Sequence, residues 1–227
     1  MSIPSSKIQL DFDRIAALSN DNEWNHNNHY HSFLLKHLPS SSELDALEIG
    51  CGTGNFSRLL AQRFRRVLAI DLSPRTIEIA KEQSHQYDNI DFQVADVMTS
   101  QFSASQFGCV VSIATLHHLP LEPMLYKIKE SLNTDGVLLV LDLLKTESVG
   151  DFTTTLMSVP ANIIFKLLKN GRIHESAEVR AAWAEHGRTD EYLTLSQVRQ
   201  ACAASLPKAQ IKRHLFWRYS IVWKKAR

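Results

Sequence analysis

Three cysteines are all that the 227 residues contain: Cys51, Cys109 and Cys202. They stand far apart, with neither metal-ligand nor disulfide spacing. That excludes a disulfide scaffold and suits a reducing compartment. No apolar run is long enough to cross a bilayer, since the strongest, Val137 to Leu144, is short and broken by Asp142. A strong charge of either sign is also missing. The net charge of +1 supplies no bulk field for nucleic acid or a membrane. Met1 to Leu10 lacks a charged stretch followed by an apolar one, so no secretory leader is expected. Neither internal repeats nor low-complexity tracts occur. A cytoplasmic protein with no transmembrane segment is the expectation, and an apolar fraction of 44% is enough for one real core.

What is present is an alternation of strand and helix signals. Residues 12 to 38 read as helical around a polar centre, Ser19 to Asn28, and end at Pro39. Ala46–Ile49, Val67–Ile70, Ile90–Val94, Cys109–Ile113 and Val137–Leu141 read as short strands. The fourth is apolar throughout, which suits a strand covered on both faces. Helices are expected over Asn55–Arg66, from Pro74 behind a Ser73 cap, and over Pro123–Leu132, with a turn at Asn133–Gly136. Residues 151 to 186 look largely helical, Thr194–Ala204 is a further helix, and Ile211–Lys224 alternates like two strands or a long hairpin. Repeated βα units with right-handed crossovers imply a doubly wound, mostly parallel α/β sheet.

The densest information lies in Leu47-Glu48-Ile49-Gly50-Cys51-Gly52-Thr53-Gly54-Asn55. Glycines after a strand permit a tight turn and a close approach of ligand to backbone. A dinucleotide loop has a glycine three positions after its second one. Here that position is Asn55, and the third glycine comes early, at Gly54. Glu48 would repel a pyrophosphate and attract a sulfonium ligand that carries an amino group. Asp71 closes the second strand about 20 residues on, where a carboxylate can accept both ribose hydroxyls. Asp96 follows the third strand and can accept from an adenine amino group, with Val97 against the ring.

Glu48 to Gly54, Asp71, Asp96 and the strand Cys109–Ile113 followed by Leu116-His117-His118-Leu119 resemble the class I S-adenosylmethionine-dependent methyltransferases. The resemblance covers residues 44 to 145 and is silent on the acceptor. It implies a seven-stranded Rossmann-like sheet, completed by a strand pair around Ile211 to Trp223. It implies S-adenosylmethionine as cofactor and S-adenosylhomocysteine as product. Gly50, Cys51, Gly52 and Gly54 would then line the methionine part, with Glu48 behind them. Asp71 and Leu72 would take the ribose side, Asp96 and Val97 the adenine, and the backbone from Ile113 to Thr115 the amino acid moiety.

Methyl transfer from a sulfonium is an in-line displacement that depends on proximity and alignment. His117 and His118 lie at the carboxyl edge of the sheet, so either is a candidate base for a hydroxyl acceptor; the alternative is a loop histidine that only packs. No metal site is expected. His26, His29 and His31 have no cysteine or acidic partner at ligand spacing and share no helix face. That N-terminal segment can instead form a lid in which Trp24 or Tyr30 shields the sulfonium, or be packed core. Phe152 to His186, with Trp183, His186 and Arg188, is the expected source of acceptor specificity. Its apolar stretch Ile163 to Leu168 reads as a helix packed on the sheet ahead of one touching a membrane. The last 20 residues hold seven Lys and Arg and no acid, but strand alternation can bury their aromatics, which argues against nucleic acid.

The expected layout is one domain over 1–227: an N-terminal helical lid (1–42), a cofactor-binding core (43–145), a helical substrate insert (146–190), and a terminal helix with strands (191–227). A small-molecule acceptor leads, and the chain is expected as a monomer or homodimer. The alternatives are a protein or RNA methyltransferase and a non-catalytic S-adenosylmethionine-binding protein.

Overall fold

A computed structural model describes residues 5–18, 23–147, 149–188 and 190–226. Seven strands form one sheet: β1 (Asp45–Ile49), β2 (Arg66–Asp71), β3 (Ile90–Val94), β4 (Phe107–Ile113), β5 (Leu132–Leu143), β6 (Gln210–His214) and β7 (Arg218–Lys224). Their order is β3-β2-β1-β4-β5-β7-β6. The first five strands are parallel, and β7 pairs antiparallel with both β5 and β6. The order reverses between β1 and β4, and such a switch point opens a crevice at the strands' carboxyl ends. The glycine loop leaves β1 at that crevice.

Burial explains the strand sequences. In β4 every residue but the last is buried, as its apolar run requires of a strand covered on both faces. Leu47, Val110, Leu138 and Ile221 belong to the core cluster on one face, and Ala46, Cys109, Val111 and Leu139 to that on the other. The β6–β7 hairpin turns through Phe216 and Trp217, both at positive φ (58° and 55°). Two successive residues of that hand match the twist of a tight hairpin, although the turn usually takes Asn-Gly.

The helices are α1 (Ser5–Leu18), α2 (His31–Leu35), α3 (Asn55–Ala61), α4 (Pro74–Gln83), α5 (Leu121–Ser131), α6 (Val149–Asn170), α7 (Ala177–His186) and α8 (Leu195–Ser205). Short 3-10 turns occupy Asn28–Tyr30 and Leu116–His118. Ser73 caps α4 as expected, its hydroxyl accepting from the Thr76 amide, with Pro74 in the first turn. Thr194 caps α8 in a reciprocal box with Gln197.

Four expectations need correction. The helix read over 12 to 38 is two helices, with α1 beginning at Ser5. Of its polar centre, residues 19–22 lie outside the described residues. From Asn25 onward, side chains satisfy the backbone: Asn25 Oδ1 accepts from the Asn27 and Asn28 amides, an alternative to helix that short amides favour. Helix α3 stops at Ala61 rather than Arg66, because the chain must turn to enter β2. Its Phe56 and Leu60 are nonetheless buried together with Phe64 of the following turn. Asn133–Gly136 is no free turn but an irregular part of β5, with Asp135 at φ 64° and a register shift against β4. The apolar helix α6 does not bury its stripe. It packs through Ala161, Phe165 and the buried Ser158, while Leu156, Met157, Ile164, Leu167 and Leu168 stay exposed. No helix among the described residues is long and apolar enough to cross a membrane.

Helix α1 is fastened over the crevice. Asp13 Oδ1 accepts from the Ser73 hydroxyl and the Arg75 amide at the start of α4, and Asp11 Oδ2 lies 3.2 Å from His186 Nδ1 on α7. Ile8 and Ile15 point inward and are buried.

Candidate active site

The glycine loop owes its shape to backbone that only glycine adopts cheaply. Gly50, Gly52 and Gly54 have φ of 70°, 54° and 80°. The Gly50 and Cys51 amides both donate to the Ile70 carbonyl, which seats the loop on the end of β2. A Cβ on Gly50 would come within 2.0 Å of Thr115 Oγ1, so the loop and the segment after β4 touch only because no side chain intervenes. Around Gly52 the opposite holds: a Cβ there would meet nothing within 4 Å. That open space above a glycine is a cradle where a ligand can lie on the backbone.

Asp71 is buried at the tip of β2. Its Oδ2 accepts from the Gly52 amide and its Oδ1 from the Ser73 amide, each at 3.0 Å. Burial pushes its carboxyl above the ordinary value, against the pull of these amides. The carboxylate thus braces the cradle as well as facing it. Asp96 Oδ1 accepts from the Met98 amide, and its carbonyl caps the following turn through Thr99 and Ser100. Lys127 on α5 pins that turn by donating to the Val97, Met98 and Ser100 carbonyls. Leu72, Val97 and Ile113 line the same cavity. Beyond Ile113, Ala114 sits at φ 51° with its amide on the Leu141 carbonyl, a strained residue of the sort that collects at functional sites.

Glu48 is 2% exposed and takes a 2.5 Å hydrogen bond from Ser57 Oγ. Burial raises its pKa from 4.5 to about 8, partly offset by that hydroxyl and by Arg58, with Asp71 adding to the rise. The folded chain therefore keeps a proton that the unfolded chain releases between those values. Glu48's contribution to stability is whole below pH 4.5 and is lost as pH rises to about 8. The expected slope is at most ~1.4 kcal/mol per pH unit, and Glu48→Gln should flatten it in thermal melts across that window. A cation bound beside Glu48 would favour the carboxylate. Proton release on cofactor binding near pH 7, up to about one per site, is therefore expected from calorimetry in buffers of different ionisation enthalpy; proton uptake would contradict it.

Glu48, Gly50, Gly52, Asp71, Asp96 and Ile113 line one cavity of about 1100 Å³. Drug-sized ligands occupy pockets of roughly 300–1,000 Å³, so this one has room for a nucleoside cofactor and an acceptor together. The second lobe lies under α1 and α7. Phe12, His117, His118, Trp183, His186, Asp190, Tyr192 and Arg218 line it. His117 Nδ1 is 2.6 Å from Asp142 Oδ1, and the His117 amide donates to Asp142 Oδ2. Asp142 is fully buried. Burial pushes its carboxyl up, but His117, the Leu143 amide and Arg218 outweigh this and hold it below the usual carboxylate range. It is thus an acceptor, so His117 donates its Nδ1–H to Asp142, which leaves Nε2 outside that bond. The His118 ring lies 3.9 Å from that of His117, and burial, then His117, depress its pKa to about 4.

Sequence reasoning placed the glycines, both aspartates and the two histidines together; the structure has Gly50, Gly52, Asp71, Asp96, His117 and His118 on one cavity, whereas Gly54 does not line it and lies against Phe92. Sequence reasoning missed Asp142, Asp190 and Tyr192. Asp142 had a signal, a lone acid in an apolar strand, which was read only as an interruption. The N-terminal segment is divided. Trp24 lines the cavity and stacks on Phe165 at 5.3 Å, whereas Tyr30 is buried away from it with its hydroxyl on the Leu215 carbonyl. Tyr30 is therefore core and no shield. His26 bonds Asn162 and stacks on Phe216, His29 meets Trp24 and Phe216 edge-on, and His31 packs edge-on against Phe56. In the basic C-terminus Phe216, Tyr219 and Trp223 are buried, as strand alternation implied. Arg218 is buried too and faces the cavity, bonded to Asn27.

A glycine cradle and two carboxylates at successive strand ends of a seven-stranded 3-2-1-4-5-7-6 sheet define a Rossmann-like protein with a cavity at its switch point. Residues 46–136 match the model of a methyltransferase domain family. The chain is 36% identical over 104 residues to malonyl-[acyl-carrier protein] O-methyltransferase of Acetivibrio thermocellus, a stretch covering 44% of this chain and 36% of that protein. It is 29% identical over 204 residues to an uncharacterized methyltransferase of Mycobacterium tuberculosis, covering 90% of this chain and 98% of that one. Among solved structures, phosphoethanolamine N-methyltransferase 1 of Haemonchus contortus superposes with a TM-score of 0.67 at 14% identity, over 98% of this chain and 49% of that one, which shows the shared fold. Over residues 46–136 the chain carries a methyltransferase domain, and the matched proteins support S-adenosylmethionine as the methyl donor.

Proposed function

We propose that the methyl group goes to a small molecule held in the second lobe, with Gly50, Cys51, Gly52, Gly54, Asp71, Leu72, Asp96, Val97 and Ile113 holding the cofactor. The carrying observation is that one cavity joins the cradle to a lobe roofed by α1 and α7. An open groove would suit a macromolecule; a lobe under two tied helices suits a compact acceptor. A relative from Deinococcus radiodurans, 32% identical over 104 residues, is named trans-aconitate 2-methyltransferase, which supports a small carboxylate-sized acceptor.

The bound cofactor supplies an electrophilic methyl on a sulfonium. The chain's own residues align it and exclude water, and such alignment is worth ~7–11 kcal/mol of barrier. Phe12, Trp183 and Tyr192 enclose the acceptor. Of the two histidines, His117 is the one oriented by a carboxylate, so its Nε2 is the atom that engages the acceptor's proton-bearing group. Residues 1–42 act as the roof and 146–190 as the specificity insert.

Enzyme supplied with S-adenosylmethionine and either the small-molecule or the macromolecular fraction of a cell extract should release S-adenosylhomocysteine only with the former. His117→Gln should lower that turnover by ~100-fold or more while donor affinity stays. Release that follows the macromolecular fraction would overturn the proposal.

A further inference from the structure

The second lobe holds more unpaired polarity than a packed interior tolerates. The His118 side chain is 6% exposed and that of Asp190 3%. Neither nitrogen of His118, nor Asp190 Oδ1, has a hydrogen-bond partner. Each such atom costs about 1–3 kcal/mol, and a fold that keeps three side by side is keeping them for a ligand. His117 contributes a fourth donor atom, since Asp142 occupies its Nδ1 and leaves Nε2 available. One ligand atom from each of His117, His118 and Asp190 can be chosen so that all lie within 4.8 Å of one another.

We infer that His117, His118 and Asp190 bind one divalent first-row transition cation beside the transferred methyl group. Two imidazoles and one carboxylate form a three-point set of the kind that suits zinc, cobalt, iron or manganese and leaves further positions open. Magnesium prefers all-oxygen surroundings and fits poorly. Bonds of ~2.1 Å place neighbouring ligand atoms about 3 Å apart. His118 Nδ1 and Asp190 Oδ1 already stand at 3.6 Å, so small side-chain movements close the site. The outer partners are also in place. Asp142 fixes His117, while the Tyr192 hydroxyl donates to Asp190 Oδ2 at 2.8 Å and His186 Nε2 lies 3.6 Å from the same oxygen, leaving Oδ1 to the cation.

The catalytic consequence rests on the methyltransferase reading. An acceptor oxygen held by the cation gives up its proton more easily, so His117 acts through the cation instead of taking the proton itself. As the oxygen–carbon bond forms and the sulfur–carbon bond breaks, the hydroxyl proton passes to solvent and S-adenosylhomocysteine leaves neutral at sulfur.

Cobalt(II) is the probe, because its visible spectrum reports histidine ligation without any turnover. Metal-free protein titrated with cobalt(II) should take up one equivalent. His118→Gln and Asp190→Asn should each weaken that uptake by at least ~10-fold. Calorimetry with S-adenosylhomocysteine on the same samples checks that each variant is folded and that the donor site is intact. Donor binding without cobalt or zinc uptake by the wild type, or equal uptake by the variants, overturns the cation site and leaves the methyltransferase reading standing. Cobalt uptake that follows the variants, with no methyl transfer to any acceptor fraction, upholds the site and removes only its catalytic role.

Discussion

Replacing Gly50 by alanine is expected to abolish S-adenosylhomocysteine binding and to cost about 2–5 kcal/mol of stability. Two separate penalties make this the most damaging single methyl group in the chain. At φ 70° an L-residue pays ~1–2 kcal/mol for the left-handed backbone. The added Cβ would also lie 2.0 Å from Thr115 Oγ1 and 2.6 Å from Thr115 Cγ2, contacts that force the two loops apart. Overpacking of that kind costs ~1–3 kcal/mol. Because these loops form two walls of the cofactor lobe, separating them spoils the cradle before the protein unfolds. Thr115→Ala removes the two nearest atoms. In the double variant it should recover only part of the packing loss, because Thr115 Cβ at 2.7 Å stays, and leave the backbone part, so the two changes couple in a double-mutant cycle. Additive effects in thermal melts would show that loop contact is not what Gly50 protects.

The second large effect is expected at Asp71. Asp71→Ala should weaken S-adenosylmethionine and S-adenosylhomocysteine by ~100-fold or more, equivalent to about 2.7 kcal/mol. Two charged hydrogen bonds to a ribose diol supply that much at ~1.5–3 kcal/mol each. The loss also reaches the cradle, because the Gly52 and Ser73 amides lose their acceptor. Asp71→Asn keeps one carbonyl oxygen and should fall between the two. Since Asp71 lies away from the second lobe, turnover at saturating donor should drop far less than affinity. Wild-type affinity in Asp71→Ala, measured by calorimetry, would contradict the assignment.

Much of the cofactor lobe was legible because its information is local. Strand ends, glycines and following aspartates sit in short windows, and the βα alternation orders them along one edge. Glu48 and the early glycine at Gly54 turned the reading of the loop from a dinucleotide toward a sulfonium ligand; Glu48 lines the cavity and Gly54 does not. The second lobe was illegible for the opposite reason. Its key partners, Asp142 on β5, Asp190 before α8 and His186 on α7, meet His117 and His118 only through the tertiary fold. Periodicity could not see that Asp142 is buried against an imidazole instead of breaking a strand. Helix limits failed where backbone was satisfied by other means, as at Asn25 and Asn28, whose side chains replace a helical turn. The apolar stripe of α6 looked like core because hydrophobic spacing reports a face and not what covers it.

Calorimetry with S-adenosylhomocysteine and, separately, with NAD bears most directly on the central claim that the Gly50–Gly54 loop with Asp71 and Asp96 is an S-adenosylmethionine site. The expected result is one site for S-adenosylhomocysteine and no heat with NAD. Tight NAD binding, or none of either ligand by a folded wild-type chain, would contradict it.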